Sequence, residues 1–136
     1  MKGVAPMKAV LAFAVICLST STFGQAPDCD SMEKCQDSLK ANPRSSLIRY
    51  RIGELYFAEE KLQASANEFR RALDGDLDPQ WVEVWSRVNL GKVYDMSGQR
   101  ERAVQQYRLA QKTGDNTRGA LGEAANYIKE PFKKAN

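Results

Sequence analysis

Two stretches of the chain decide its fold, Ile52-Gly53-Glu54-Leu55-Tyr56 and Leu90-Gly91-Lys92-Val93-Tyr94, which lie 38 residues apart. The same offset pairs Ser65 with Ala103, Phe69 with Tyr107, and Ala72 with Ala110. Six aligned positions at one offset indicate an internal repeat. Each copy has an apolar stripe of helical period, a break near Glu60 or Gly98, and then a second stripe. The sequence therefore predicts an all-α protein built from helix pairs.

The repeated residues resemble the signature of the tetratricopeptide repeat family. In this chain the signature positions are Ile52, Gly53, Tyr56, Ser65, Phe69 and Ala72, and then Leu90, Gly91, Tyr94, Ala103, Tyr107 and Ala110. The resemblance implies antiparallel helix pairs stacked as a short right-handed solenoid, in which small residues allow close approach and aromatic rings fill the space. Arg49 and Arg87 stand where the family usually has Trp, and the bulky Leu47 and Trp85 come two residues earlier.

The flanking segments complete the predicted organisation. The family repeats every 34 residues, and the turn-rich residues 74–79 supply the four extra residues of this chain. Asp78 followed by Pro79 predicts an N-cap and a helix over residues 79–96. The predicted units are a signal peptide (1–26), an N-terminal half repeat (27–45), a first repeat with its linker (46–78), a second repeat (79–116), and a capping helix with its tail (117–136). The half repeat contains a helix near 30–41, and the capping helix covers 117–129. After residue 26 this organisation gives six helices.

The first residues have the layout of a secretory signal peptide. Lys2 and Lys8 precede an apolar run over residues 9–18, which is followed by small and polar residues up to position 26. The run is shorter than the roughly 20 residues of a membrane span, so we expect cleavage near residues 24–26 and a soluble periplasmic or secreted protein. Met7 is an alternative true start. Ile16 before Cys17 disfavours a lipoprotein.

Loss of Lys2 and Lys8 would lower the net charge from +3 to +1, because 18 basic residues would remain against 17 acidic ones. Both signs alternate along the chain, and nucleic acid is not an expected partner.

Cys29 and Cys35 are the two cysteines that remain after the predicted cleavage. An oxidising compartment favours a disulfide, but two cysteines six positions apart in one helix are about 9 Å apart by the helical rise. A bridge between them therefore requires Cys29 to precede the helix. An intrachain bridge, two reduced thiols and an intermolecular link all stay open.

The chain contains no histidine, which removes catalytic triads and most zinc sites. Carboxylates such as Glu68 fall on predicted solvated helix faces, and Asp95 is expected to form an exposed salt bridge with Arg100 or Arg102 across a turn. Asp74, Asp76 and Asp78 begin like a calcium loop, but Pro79 and Trp85 occupy the positions of its glycine and its glutamate. The sequence thus predicts a non-enzymatic protein without a cofactor or metal.

The resemblance also implies a concave groove formed by the first helix of each pair, which binds a protein or peptide. The implied groove residues are Tyr50, Glu54, Phe57, Val88, Lys92, Asp95, Asn126 and Lys129. Tyr50 and Glu54 replace the Lys and Asn that family members use to bind the carboxylate of chaperone C-termini, so that ligand is disfavoured. A structural subunit that self-associates through uncovered apolar faces is the alternative.

Overall fold

The computed structural model describes Gly3 and residues 29–135. These residues form six α-helices and one short 3₁₀ helix, with no strand among them, which confirms the all-α prediction. The α-helices are α1 (Met32–Ala41), α2 (Ser46–Ala58), α3 (Leu62–Leu73), α4 (Trp81–Met96), α5 (Arg100–Lys112) and α6 (Ala120–Lys129). The predicted signal peptide, its cleavage region and Cys17 lie outside the described residues. Within the described ranges, no helix has the length and apolarity that a membrane crossing requires.

Successive helices pack as antiparallel neighbours. Near the start of α2 the Ser46 hydroxyl donates to the Ala72 carbonyl at the end of α3 (2.6 Å), and near its middle the Gly53 carbonyl accepts from the Ser65 hydroxyl (2.9 Å). Helices α2 to α6 pack mainly against their neighbours in the chain, most closely within the pairs α2 with α3 and α4 with α5, and α4 also contacts α2 and α6. The first helices of the pairs therefore lie side by side.

The repeat residues make the predicted contacts between helices. A methyl group on Gly53 would lie 2.7 Å from the Phe69 ring, and one on Gly91 would overlap the Tyr107 ring. Phe69 and Tyr107 are fully buried, as are Ala72, Ala103 and Ala110. Glycine is thus needed at both positions because an aromatic ring of the following helix occupies the space of its missing side chain.

Arg49 of α2 neutralises a buried carboxylate. Glu68 is only 9% exposed in its side chain and pairs with Arg49 (3.1 Å) and Arg71 (2.9 Å). The prediction of a solvated face for Glu68 was wrong, because helical spacing does not show that α2 brings an arginine against it.

The linker after α3 folds back onto the start of α2. Asp76 Oδ1 accepts from the backbone N–H groups of Ser46 (3.0 Å) and Asp78 (3.1 Å), and the Ser46 hydroxyl accepts from the Leu77 N–H (2.8 Å). The predicted N-cap at Asp78 was wrong: α4 begins at Trp81 after Gln80, which provides no side-chain cap. Asp76 instead satisfies a backbone donor at the start of another helix.

A disulfide joins Cys29 to Cys35, with their Cα atoms 4.5 Å apart. Cys29 lies before the first residue of α1, as an intrachain bridge requires, and Ser31 caps that helix. Cys35 is fully buried and packs with Ile48 and Ile52 of α2 in a small cluster separate from the main core.

The last helix lies where the sequence predicts a capping helix, after a sharp turn. Residues Thr117–Gly119 form the 3₁₀ helix, in which Arg118 and Gly119 both have positive φ. Trp85 of α4 donates its indole N–H to the Thr117 carbonyl at 3.0 Å. This bond and the buried Ala120 and Ala124 fix α6 against the preceding pair.

Candidate functional site

Two of the predicted groove residues, Tyr50 and Val88, lie in the core. Tyr50 packs edge-on against Trp81 and accepts a hydrogen bond from Asn89 (3.1 Å), while Val88 is fully buried. Burial raises the pKa of Tyr50, and the nearby Glu54 carboxylate raises it further. Tyr50 and Val88 therefore belong to the core, and their side chains are not available to a partner.

Phe57, Lys92 and Asp95 are brought together on one side of the helix stack, around the segment of residues 130–135 that follows α6. We call this segment the strap. Its Phe132 ring lies 6.0 Å from the Phe57 ring and 5.4 Å, edge-on, from the Tyr127 ring, measured between centroids. The strap thus contacts α2 and α6 through one aromatic side chain.

Lys92 lies at the centre of this aromatic cluster. Its Nζ is 5.8 Å from the centroid of Trp85, 5.3 Å from Tyr127 and 5.4 Å from Phe132. It also forms a 3.0 Å salt bridge with Glu123 of α6, and its side chain is only 14% exposed. A desolvated ammonium between aromatic faces is attracted by their electron-rich surfaces, so Lys92 stabilises the position of each ring.

Asp95 joins the strap to the helix stack. Its carboxylate is fully buried, and Oδ2 accepts from the Phe132 backbone N–H (2.8 Å) and the Tyr107 hydroxyl (2.9 Å). The predicted salt bridge with Arg100 is present at 3.0 Å, although burial makes it unlike the exposed pair expected from sequence. Burial, with Asp95 as acceptor, raises the pKa of the Tyr107 hydroxyl.

The remaining predicted groove residues lie at the edge of this cluster. Glu54 accepts a hydrogen bond from Arg51 of its own helix (2.7 Å), and Asn126 and Lys129 are exposed on α6. The Asn126 backbone carbonyl accepts from the Glu130 N–H (2.9 Å), but among the described residues no side chain of these three bonds the strap. The site is therefore centred on Phe57, Lys92 and Asp95.

Four participants were not among the predicted groove residues: Trp85, Glu123, Tyr127 and Phe132. Trp85 and Tyr127 are aromatic residues on first helices, which is a signal that sequence reasoning could have used. Phe132 follows a helix-ending proline in a segment without periodicity, and no local pattern indicates its contacts.

We call the surface formed by Phe57, Trp85, Lys92, Asp95 and Tyr127 the aromatic groove. Phe132 of the strap lies on this surface, which combines ring faces with one backbone-binding carboxylate. Among the described residues, no group of three or more Cys, Asp or Glu side chains is placed to hold a metal ion. The arrangement can bind an extended segment that offers an aromatic ring and a backbone N–H.

Searches against protein families, curated proteins and solved structures found no match for this chain.

Proposed function

We propose that this chain is an exported tetratricopeptide-type binding module that holds an extended peptide or protein segment in the aromatic groove, without catalysis. The observation that carries the proposal is the convergence of Phe57, Lys92 and Tyr127 from three first helices around the single side chain of Phe132. Ring faces with a desolvated cation provide the anchoring contacts typical of binding hot spots. Helix stacking fixes their positions before a partner arrives, which lowers the entropic cost of binding.

The packing of the two repeat copies supports the proposed family. The ring of each second helix lies against the glycine of the first, at Gly53 with Phe69 and at Gly91 with Tyr107. Such nesting is the physical reason for the small and aromatic pattern of the family. The disulfide between Cys29 and Cys35 supports export to the periplasm or the exterior, because disulfides persist in oxidising compartments.

Selection of peptides tests the proposed function. A displayed library of random peptides is selected on the wild-type chain and on the Phe132→Ala variant, since Phe132 covers part of the groove. We expect selected peptides to lose about tenfold or more in affinity on Phe57→Ala or Tyr127→Ala, as hot-spot truncations do. Gln105→Ala, at an exposed position of α5, is the matched control.

Circular dichroism establishes that each variant stays helical. The proposal is overturned if no peptide can be selected on either chain. It is also overturned if neither Phe57→Ala nor Tyr127→Ala changes the affinity of the selected peptides. The alternative of a self-associating subunit stays a prediction, and a concentration-dependent mass in sedimentation equilibrium would support it.

A further inference from the structure

We propose that the strap is an internal ligand of the aromatic groove and that the partner segment has the same chemistry: an extended stretch with an aromatic residue followed, two positions later, by a lysine or arginine. This inference rests on the proposed function and specifies both the ligand and its competitor.

The first support is the way in which Phe132 is recognised. Its N–H donates to the buried Asp95 carboxylate at 2.8 Å, and its ring packs against Phe57 and Tyr127 with the Lys92 ammonium 5.4 Å from its centroid. Together these contacts select for one type of residue. Any extended segment can supply the backbone N–H, but only an aromatic side chain fills the ring cluster.

The second support is an ion pair two residues further on. Lys134 Nζ lies 2.7 Å from Glu60 Oε1, at the turn between α2 and α3. The hydrogen bond and the positive charge of Lys134 lower the pKa of Glu60. In an extended chain, alternate side chains point the same way. Phe132 and Lys134 both contact the helix stack, whereas Lys133 between them makes no such contact among the described residues, and both lysines are exposed.

The third support is the course of the strap across the stack. It leaves α6, bonds Asp95 of α4 and reaches Phe57 and Glu60 at the far end of α2. A separate peptide would take such a course along a groove lined by first helices. The Phe132, Phe57 and Tyr127 rings are only partly buried, so the strap covers the surface without being enclosed by it.

Tethering explains how few contacts can keep the groove occupied. A short linker gives an effective concentration of about millimolar, so a segment that binds weakly on its own is mostly bound when attached. An incoming partner must displace the strap. The apparent affinity of the partner equals its intrinsic affinity multiplied by the fraction of chains whose groove is open. The strap therefore raises the affinity that a partner needs in order to bind, which favours partners with a matching aromatic and basic pair.

A labelled peptide with the strap's own sequence tests this inference. The probe is Glu-Pro-Phe-Lys-Lys-Ala-Asn (residues 130–136) with a fluorescent label, titrated with the full chain and followed by anisotropy. We expect the Phe132→Ala chain to bind the probe at least about tenfold more tightly than the wild type, because its groove is open. Lys134→Glu should open the groove by a second route and give an intermediate affinity.

Lys133→Ala is the matched control, since this side chain is exposed and makes no hydrogen bond or ion pair among the described residues; it should behave as the wild type. A probe carrying Phe132→Ala should not bind the opened chain. Equal probe affinities for the wild type, Phe132→Ala and Lys134→Glu chains would overturn the inference.

Hydrogen exchange of the Phe132 amide gives a readout that needs no peptide. Protection of this amide in the wild type, lost on Lys134→Glu, supports the internal ligand, and exchange at the rate of an unstructured segment overturns it. If selected peptides bind the aromatic groove while the strap probe does not bind the opened chain, only the present inference fails. If no peptide of any sequence binds either chain, the proposed function fails.

Discussion

At the scale of single residues, Gly53 and Gly91 set the distance between the helices of each pair. The added methyl group on Gly53 would meet the Phe69 ring at 2.7 Å, closer than side-chain carbons pack. Phe69 is fully buried, so its ring cannot move aside without disturbing other core residues. The requirement for glycine here is therefore a packing requirement, since the backbone of both residues is helical.

The Gly53→Ala variant tests this reading. Alanine gains about 1 kcal/mol of helix propensity over glycine, but overpacking of a tight core costs about 1–3 kcal/mol. We expect a net loss of up to about 2 kcal/mol in the free energy of unfolding by urea. Gly122→Ala is the control, because Gly122 lies in α6 with nothing within 4 Å of an added methyl group, and it should be neutral or slightly stabilising. Equal effects of the two substitutions would contradict the packing argument.

At the scale of the elements, the linker of residues 74–80 does more than span the gap between helix pairs. Asp76 bonds the first N–H of α2, and the Arg44 carbonyl accepts from the Asp76 N–H at 3.0 Å. The first four N–H groups of a helix have no partner within it, so the linker of the first repeat satisfies one donor of its own first helix. The linker thus contributes directly to the start of α2.

The titration of Asp76 should report this contact. Desolvation alone raises the pKa of Asp76, but the hydrogen bonds from Ser46, Asp78 and its own backbone together outweigh desolvation and lower it from the ordinary value of 3.8. A lowered pKa in the folded state means that the stabilisation is complete above about pH 4–5 and is lost as the pH falls through the folded value.

Removal of the carboxylate should therefore change both the stability and its dependence on acid. Asp76→Ala should lower the free energy of unfolding at pH 7 by about 0.5–2 kcal/mol, as the loss of a helix-capping acceptor does. Between about pH 5 and pH 2, the free energy of unfolding of Asp76→Asn should decline less steeply than that of the wild type. Asp74→Asn, at an exposed carboxylate that accepts no hydrogen bond among the described residues, is the control. Parallel pH profiles for the wild type and Asp76→Asn would exclude the contact as a source of acid sensitivity.

These elements also show which features the sequence could reveal. Helix pairs and their glycine and aromatic contacts follow from local periodicity and from a repeat at fixed spacing, so they were predictable. The acceptor at Asp76 was missed because its partner, Ser46, is 30 positions away, and local capping rules favoured Asp78 instead. Val88 was assigned to the groove because helical spacing defines a face but not what covers it.

The centre of the candidate site was predictable only in part. Phe57, Lys92 and Asp95 follow from their positions on first helices, whereas Phe132 bonds a residue 37 positions away and Lys134 one 74 positions away. Such contacts leave no periodic trace in a single sequence.

At the scale of the whole molecule, the buried apolar residues form one large core and one small cluster. The main core runs from Leu47 to Ala124 and includes residues of α2 to α6. The second cluster contains Cys35, Ile48 and Ile52, and α1 packs mainly against α2. Local stability follows buried contact, so α1 should open more readily than the middle of the stack, and the disulfide should limit that opening.

Hydrogen exchange on the wild type and on Cys29→Ser tests this distribution. Cys29→Ser breaks the bridge while leaving the buried Cys35 in its cluster. A disulfide typically contributes about 2–4 kcal/mol, and even the lower value corresponds to roughly 30-fold. We expect the amides in the last turn of α1, such as that of Lys40, to exchange about 30-fold or more faster in the variant. The Val93 amide of α4 should be unchanged, because local opening of α1 does not expose the main core. Equal acceleration at Lys40 and Val93 would show instead that α1 unfolds together with the rest of the stack, and that the two clusters behave as a single cooperative unit.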